Sequence, residues 1–336
     1  MPLNLQRRRA LSVLILGAAI LIAASPWTPF RRRLLVAIGS ELEQPMHELE
    51  ARFETTHPAV DLQWRVLGSQ DMVNQALEAG PARPRVLIPA SEELLRGLAD
   101  RLRRQQSGTG LQQPQPVART VLVAVAWPER AKTLFGSDGF NWSPLAKALR
   151  TDRWSQLGGQ DSWGRFNLRA TDPGRSNSGQ LALMLWLRSQ ANDPAVQVWR
   201  QALYQPPRST DILLREFIAA GPNDGDLAFV YESIALNRRE ESRQRQGAPY
   251  RMLVPNPSFE TVLTAGVITG SAQGTQRDGE RLVRFLRQNK QQELLMNWGF
   301  RSIDGRLPEG ALTTTVLPAP DQTQRNRALR LWQSAS

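Results

Sequence analysis

The chain has 336 residues, 41% of them hydrophobic, with 42 lysines and arginines against 31 aspartates and glutamates and no cysteine. That length supports one large domain or two lobes, and the missing thiol excludes disulfides and a lipid-linked N-terminus. The formal charge of +11 includes Arg7–Arg9 and Arg31–Arg33. No aromatic-laced basic stripe, helix-turn-helix or zinc pattern accompanies it, so nucleic acid is excluded as a partner and the surplus reads as solvated surface with slight attraction for anions.

Arg7–Arg9 precede an apolar run, Ala10–Ala24, and a small-residue exit, Ala23-Ala24-Ser25. Such a run is short for a spanning helix and fits an export signal. Pro26 leaves two outcomes open, cleavage after Ala24 or an uncleaved anchor. Residues 1–33 are therefore set apart as signal or anchor, and the remainder is expected outside the cytoplasm.

A short apolar strand, Leu34–Ile38, ends in Gly39-Ser40 and enters a helix carrying Leu42, Met46, Leu49 and Phe53. Val60–Val66 alternates as a strand, with Val60, Leu62, Trp64 and Val66 on one face, and runs through Gly68-Ser69 into a helix over Met72–Glu78. Val86–Ile88 is a third strand, followed by Pro89-Ala90-Ser91 and a helix through Leu102. Three strands each ending in small or hydroxyl residues before a helix give the rhythm of a parallel sheet, whose ligands sit at the carboxyl ends of its strands.

Gln105–Pro116 reads as a polar loop, and Val117–Trp127 as a long apolar strand crossing to a second lobe. Trp142–Leu157 reads as a helix and Gly158–Arg165 as turns. The segment Asn167–Gly179, NLRATDPGRSNSG, then leads directly into the apolar helix QLALMLWLRS. Unpaired amides and the dipole of a helix start favour negative charge there, and Thr171, Ser176, Asn177 and Ser178 can all donate hydrogen bonds. An ordinary capped helix start reads the same way. Ser209 caps a helix that stops at Gly221-Pro222. Asp226–Glu232 reads as a strand, Asn237–Gln246 as a charged linker and Tyr250–Val254 as a return strand. Helices over Arg277–Arg287, Gln291–Trp298 and Arg325–Trp332 close the chain.

Catalytic patterns are missing. His47 and His57 do not share a metal-binding helix face. No GxSxG or Ser-x-x-Lys occurs, and Gly266–Gly274 lacks the lysine of a phosphate loop. The sequence predicts a binding protein that is not an enzyme, with no cofactor and no metal.

The order of motifs resembles the extracellular solute-binding proteins of the type II periplasmic-binding fold, allied to the molybdate, sulfate and phosphate receptors of ABC importers. The resemblance rests on VAIGSE (36–41), VLGSQDMV (66–73), WSPLAKAL (142–149), WGRFNLRATDPGRSNSG (163–179), AGPNDGDLAFVYESIAL (220–236) and RLVRFLRQNKQQELLMNWGFR (281–301), and spans Leu34 to Trp332. It departs from the family pattern at VLIPAS (86–91) and RMLVPNPSFE (251–260). The resemblance implies two α/β lobes, each a mostly parallel sheet flanked by helices, joined by two crossing strands and closing on a solute. Residues 34–117 with 247–336 are expected in one lobe and 118–246 in the other.

Carried over residue by residue, it implies ligand contacts from Ser40, Ser69, Ser91, Ser176, Asn177, Ser178 and Tyr231, with Gly39, Thr171, Arg175 and Glu232 beside them. Glu232 would repel an anion. Either it points away and pairs with an arginine such as Arg175, or the ligand carries an amine or sugar hydroxyls. The implied function is capture of a small anionic solute, an oxyanion or carboxylate, by a monomer that delivers it to an ABC permease. A membrane-anchored sensory or assembly module with the same fold is the alternative.

Overall fold

A computed structural model describes residues 31–105, 108–190, 195–270 and 273–335. The apolar export segment read at Ala10–Ala24 lies outside the described residues. Among the described residues no helix is long and apolar enough to cross a membrane.

The run from Leu34 to Ile38 has no polar position because both faces of its strand are covered. Strand β1 (Arg32–Ile38) lies between two parallel neighbours, β2 (Val60–Val66) and β3 (Val86–Ile88). Val36 and Ile38 face a core with Phe53, Val283 and Phe285, while Ala37 faces a smaller cluster under the helices Ser69–Leu77 and Glu92–Arg104. Each fully buried large apolar side chain here contributes roughly 1.5–3 kcal/mol.

Two long strands carry the chain between this sheet and the next. β4 (Gln115–Ala126) pairs through its first half with β8 (Ser258–Val267) and through its last five residues with β6 (Leu227–Tyr231), both antiparallel. β5 (Leu168–Arg169) lies parallel to β6, and β7 (Arg251–Leu253) antiparallel to β4. β8 also meets β3, and β9 (Val316–Leu317) runs parallel beside its start. One mixed sheet results, in the order β2-β1-β3-β8-β4-β6-β5. Around its second half sits a core rich in aromatics, including Trp154, Trp186, Trp199, Phe217 and Phe229.

Four readings need correction. The second crossing strand is β8, and the Tyr250–Val254 run contributes only the three-residue β7. The helix expected over Trp142–Leu157 ends at Thr151, where Asp152 takes left-handed φ of 68°, and resumes as a single tight turn at Trp154–Leu157. The charged stretch Asn237–Gln246, expected as a linker, is helical over Arg239–Gln246, directly after the short helix Glu232–Asn237. Its charges pair along and between helices, Arg238 with Asp211 at 2.6 Å and with Glu241 at 2.7 Å.

The fourth concerns 247–336, which does not pack with the first sheet throughout. Leu253, Ala328 and Trp332 are buried in the second core. The closing helix Gln322–Ser334 is fixed there because Arg200 donates to the Trp332 carbonyl at 2.7 Å and Arg325 donates to Gln180 at 2.6 Å.

Candidate functional site

The carboxyl ends of β1, β2 and β3 and the starts of three helices from both sides of the sheet surround one cavity of about 430 Å³. From the first half come Gly39, Ser40, Ser69 and Ala90, and from the second Ser176, Asn177, Thr210 and Tyr231. Ser69 opens its helix, Asn177 follows the cap Ser176, and Thr210 follows the cap Ser209, whose Oγ accepts from the Ile212 N–H at 3.3 Å. The first-turn amides of these helices need acceptors.

Six of the residues expected at a binding site therefore line one cavity: Gly39, Ser40, Ser69, Ser176, Asn177 and Tyr231. The other five do not. Ser91 is buried as the residue preceding the helix Glu92–Arg104, and Ala90 takes its place in the wall. Ser178 turns inward to meet the hydroxyls of Thr210 at 2.6 Å, Thr171 at 2.9 Å and Ser176 at 3.0 Å. Thr171 stays behind the wall with it. That contact is close because residue 179 is glycine: a Cβ there would lie 2.1 Å from the Thr171 carbonyl oxygen.

Arg175 borders a separate small cavity of about 40 Å³ beside Arg325. Glu232, fully buried, points away from the site. Arg301 donates to its two oxygens at 2.6 and 3.0 Å, and the Leu312 N–H donates to it at 3.0 Å. Its partner is Arg301, from the NWGFR segment, and not Arg175.

Asn177 joins the halves. Its Nδ2 donates to the Ala90 carbonyl at 2.9 Å and to the Tyr231 hydroxyl at 2.8 Å. Its Oδ1 accepts from Arg325 Nη1 at 2.7 Å. A guanidinium can only donate, so this contact fixes which way the amide faces. Burial pushes the Tyr231 phenol far above its ordinary range, and the nearby Glu41 carboxylate pushes the same way, so it stays neutral.

The sequence reading missed the charged groups of the wall. Glu41, Glu43 and Asp71 line it from the first half, and Arg208 and Arg215 from the second. Glu41 stands next to Ser40 in the VAIGSE motif, and Asp71 two residues after Ser69. Those adjacencies were the available signal. Burial pushes the Glu41 carboxyl up to about 7, opposed only by its own backbone N–H. Relative to Glu41→Gln, the native side chain should favour the folded state below the ordinary value of 4.5 and lose that contribution as pH rises through about 7. Denaturant unfolding of both proteins across this range checks it, and parallel pH profiles would refute it.

The sequence matches the family model for bacterial extracellular solute-binding proteins over residues 34–301. In fold it is similar to a periplasmic thiamin binding protein, at 15% identity and TM-score 0.67, covering 91% of this chain and 96% of that one. It is similar to iron-bound HitA from Pseudomonas aeruginosa, at 14% identity and TM-score 0.64, covering 91% and 99%. It is also similar to the sulfate-binding protein SubI from Mycobacterium tuberculosis H37Rv, at 14% identity and TM-score 0.56, covering 82% and 88%. No curated protein matches the sequence.

Proposed function

The chain belongs to the bacterial extracellular solute-binding protein family, and on that premise we propose that the cavity between its two halves holds the solute. Proteins of this kind bind small solutes for ABC importers. The solute we assign to this one is small and polar and carries an anionic group, delivered to a membrane permease by a monomer exported through its N-terminal segment. The two lobes that close on it are built around the first core and the second, with β7 and the closing helix in the second.

One observation carries this reading: strand ends and helix starts of both halves converge on a single cavity with hydroxyls on either side. Ser40, Ser69, Ser176, Thr210 and Tyr231 offer hydroxyls, the helix starts offer amides, and Arg208 and Arg215 add positive charge. A charge-assisted hydrogen bond from such a group is worth about 1.5–3 kcal/mol. A neutral tyrosine fits the same role, since it can donate without bringing charge of its own.

Calorimetry of the full chain against oxyanions and small carboxylates is the test, with thermal shift as a second readout. Ser40→Ala should weaken the best anion at least tenfold, because it deletes a donor at the wall without opening a core cavity. Ser178→Ala should act mainly on stability, by about 1–3 kcal/mol, because it leaves buried hydroxyls short of a partner. If saturating anions neither release heat nor raise the melting temperature, the anionic assignment falls.

A further inference from the structure

Five carboxylates are buried among the described residues, and four of them have an arginine. Asp211 meets Arg238 at 2.6 Å, Asp226 meets Arg130 at 2.8 Å, Glu232 meets Arg301 at 2.6 Å and Asp278 meets Arg32 at 2.8 Å. The fifth is Glu41, only 8% exposed, with no ion pair, and its Oε1 meets no hydrogen-bond donor of the protein. It is also the one of the five that lines the solute cavity. Elsewhere this fold sets an arginine beside each buried acid. At the cavity wall it does not.

The position of that carboxylate is built into the motif. It folds back over Gly39, where a Cβ would lie 2.2 Å from Oε1. Gly39 has an ordinary extended backbone, φ −72° and ψ 157°, so nothing in the conformation requires glycine there. What glycine provides is room for the Glu41 head group. A buried carboxylate held in place with an unsatisfied oxygen is costly unless a donor or cation arrives to meet it.

We propose that Glu41 is the counter-ion for a protonated nitrogen of the solute, so that the cavity selects a small amphoteric molecule. The amine end meets Glu41 in the first half. The anionic end meets the arginines and helix starts of the second. This inference rests on the preceding reading of the cavity as an anion-holding solute site and adds the opposite pole.

The other charged groups around the cavity fit the same polarity. Glu43 and Asp71 lie on the Glu41 side, and Arg208 and Arg215 on the other with neutral Tyr231, while Arg325 lies behind Asn177. With no cationic side chain paired to Glu41, burial favours its protonated form. A bound ammonium holds it ionised, so binding near neutral pH should release a proton from the protein.

The experiment compares pairs that differ only by the nitrogen: β-alanine with propionate, taurine with ethanesulfonate, and phosphoethanolamine with ethyl phosphate. Calorimetry on the full chain should show at least a tenfold preference for the amine-bearing member of the pair that binds best. Proton release should appear as a dependence of the heat on buffer ionisation. Glu41→Gln should abolish the preference while still binding the anionic member. Gly39→Ala, which keeps the charge but displaces the head group, should shrink the preference with the fold intact by circular dichroism. Anions bound without preference for the amine overturn this inference alone, as does a preference that survives Glu41→Gln. Failure of every compound in all three pairs overturns it together with the anionic assignment.

Discussion

Replacing Arg301 by methionine should lower the free energy of unfolding by about 3–5 kcal/mol, the loss expected when one partner of a buried ion pair is removed. Glu232 is wholly buried and Arg301 nearly so, and their contact is two-pronged, at 2.6 and 3.0 Å. Three separate stretches of chain meet here. Arg301 also donates to the Leu312 carbonyl at 2.8 Å, and its own backbone exchanges hydrogen bonds with Arg119 on β4 at 2.8 and 2.9 Å. Glu232 opens a helix, where the dipole favours negative charge.

Without the guanidinium, the carboxylate stays buried with the Leu312 N–H and the helix start for company. An uncompensated buried carboxylate costs several kcal/mol. The double variant Glu232→Gln with Arg301→Met should recover much of the loss, since an uncharged amide needs no counter-ion. Urea unfolding measures all three. A loss below about 1 kcal/mol in Arg301→Met would put this pair in the class of surface ion pairs and contradict its role as an internal staple.

Glu232 also marks the limit of what sequence can convey about the site. The VYE motif places it next to Tyr231, and adjacency in the chain suggested adjacency in the cleft. Yet Tyr231 ends a strand and Glu232 starts a helix, so the backbone turns between them and the two side chains diverge. The same geometry separates Asn177 from Ser178. Successive helix residues point about 100° apart, so when Asn177 faces the cavity Ser178 faces Thr171 and Thr210. Ser40 and Ser69 were legible because they need only a strand end, which apolar runs and Gly-Ser boundaries mark locally.

Glu41 was not legible for the opposite reason. A glutamate in the first turn of a helix is ordinarily a solvated partner of the helix dipole. Here the helix Thr210–Ala220 of the second half packs against Ser40–Leu42, a neighbour that no local pattern encodes. β8 escaped for a related reason. Its Glu260, Thr261 and Thr264 break the apolar run that would announce a crossing strand, although Thr261 and Thr264 are buried between neighbours. The shorter run at 250–254 looked more strand-like and took its place.

Asn177→Ala should weaken solute binding by one to two orders of magnitude, equivalent to about 1.4–2.8 kcal/mol, although its amide is already engaged within the protein. The amide serves three groups at once. It ties the Ala90 carbonyl at the end of β3 to the helix start of the second half, supports the Tyr231 hydroxyl, and accepts from Arg325. Removing it unfastens the first half from the second at the cavity rim. It also leaves the buried guanidinium, whose pKa burial already lowers, with the Gln180 and Pro320 oxygens as its remaining acceptors.

Both effects disfavour the arrangement in which the walls face each other, and a ligand bound by both walls must then supply the free energy of bringing them together. Asn177→Asp separates the two contributions. A carboxylate would satisfy Arg325 better than the amide does, but it has no N–H to offer, so it would set oxygen against the Ala90 carbonyl. If joining the halves is what matters, the aspartate variant should bind as poorly as the alanine variant while unfolding at a higher temperature. Calorimetry gives the affinities, and small-angle scattering with and without the bound anion should show a larger radius of gyration for both variants. Should Asn177→Asp restore native affinity, the arginine contact would be the functional one and the link to Ala90 incidental.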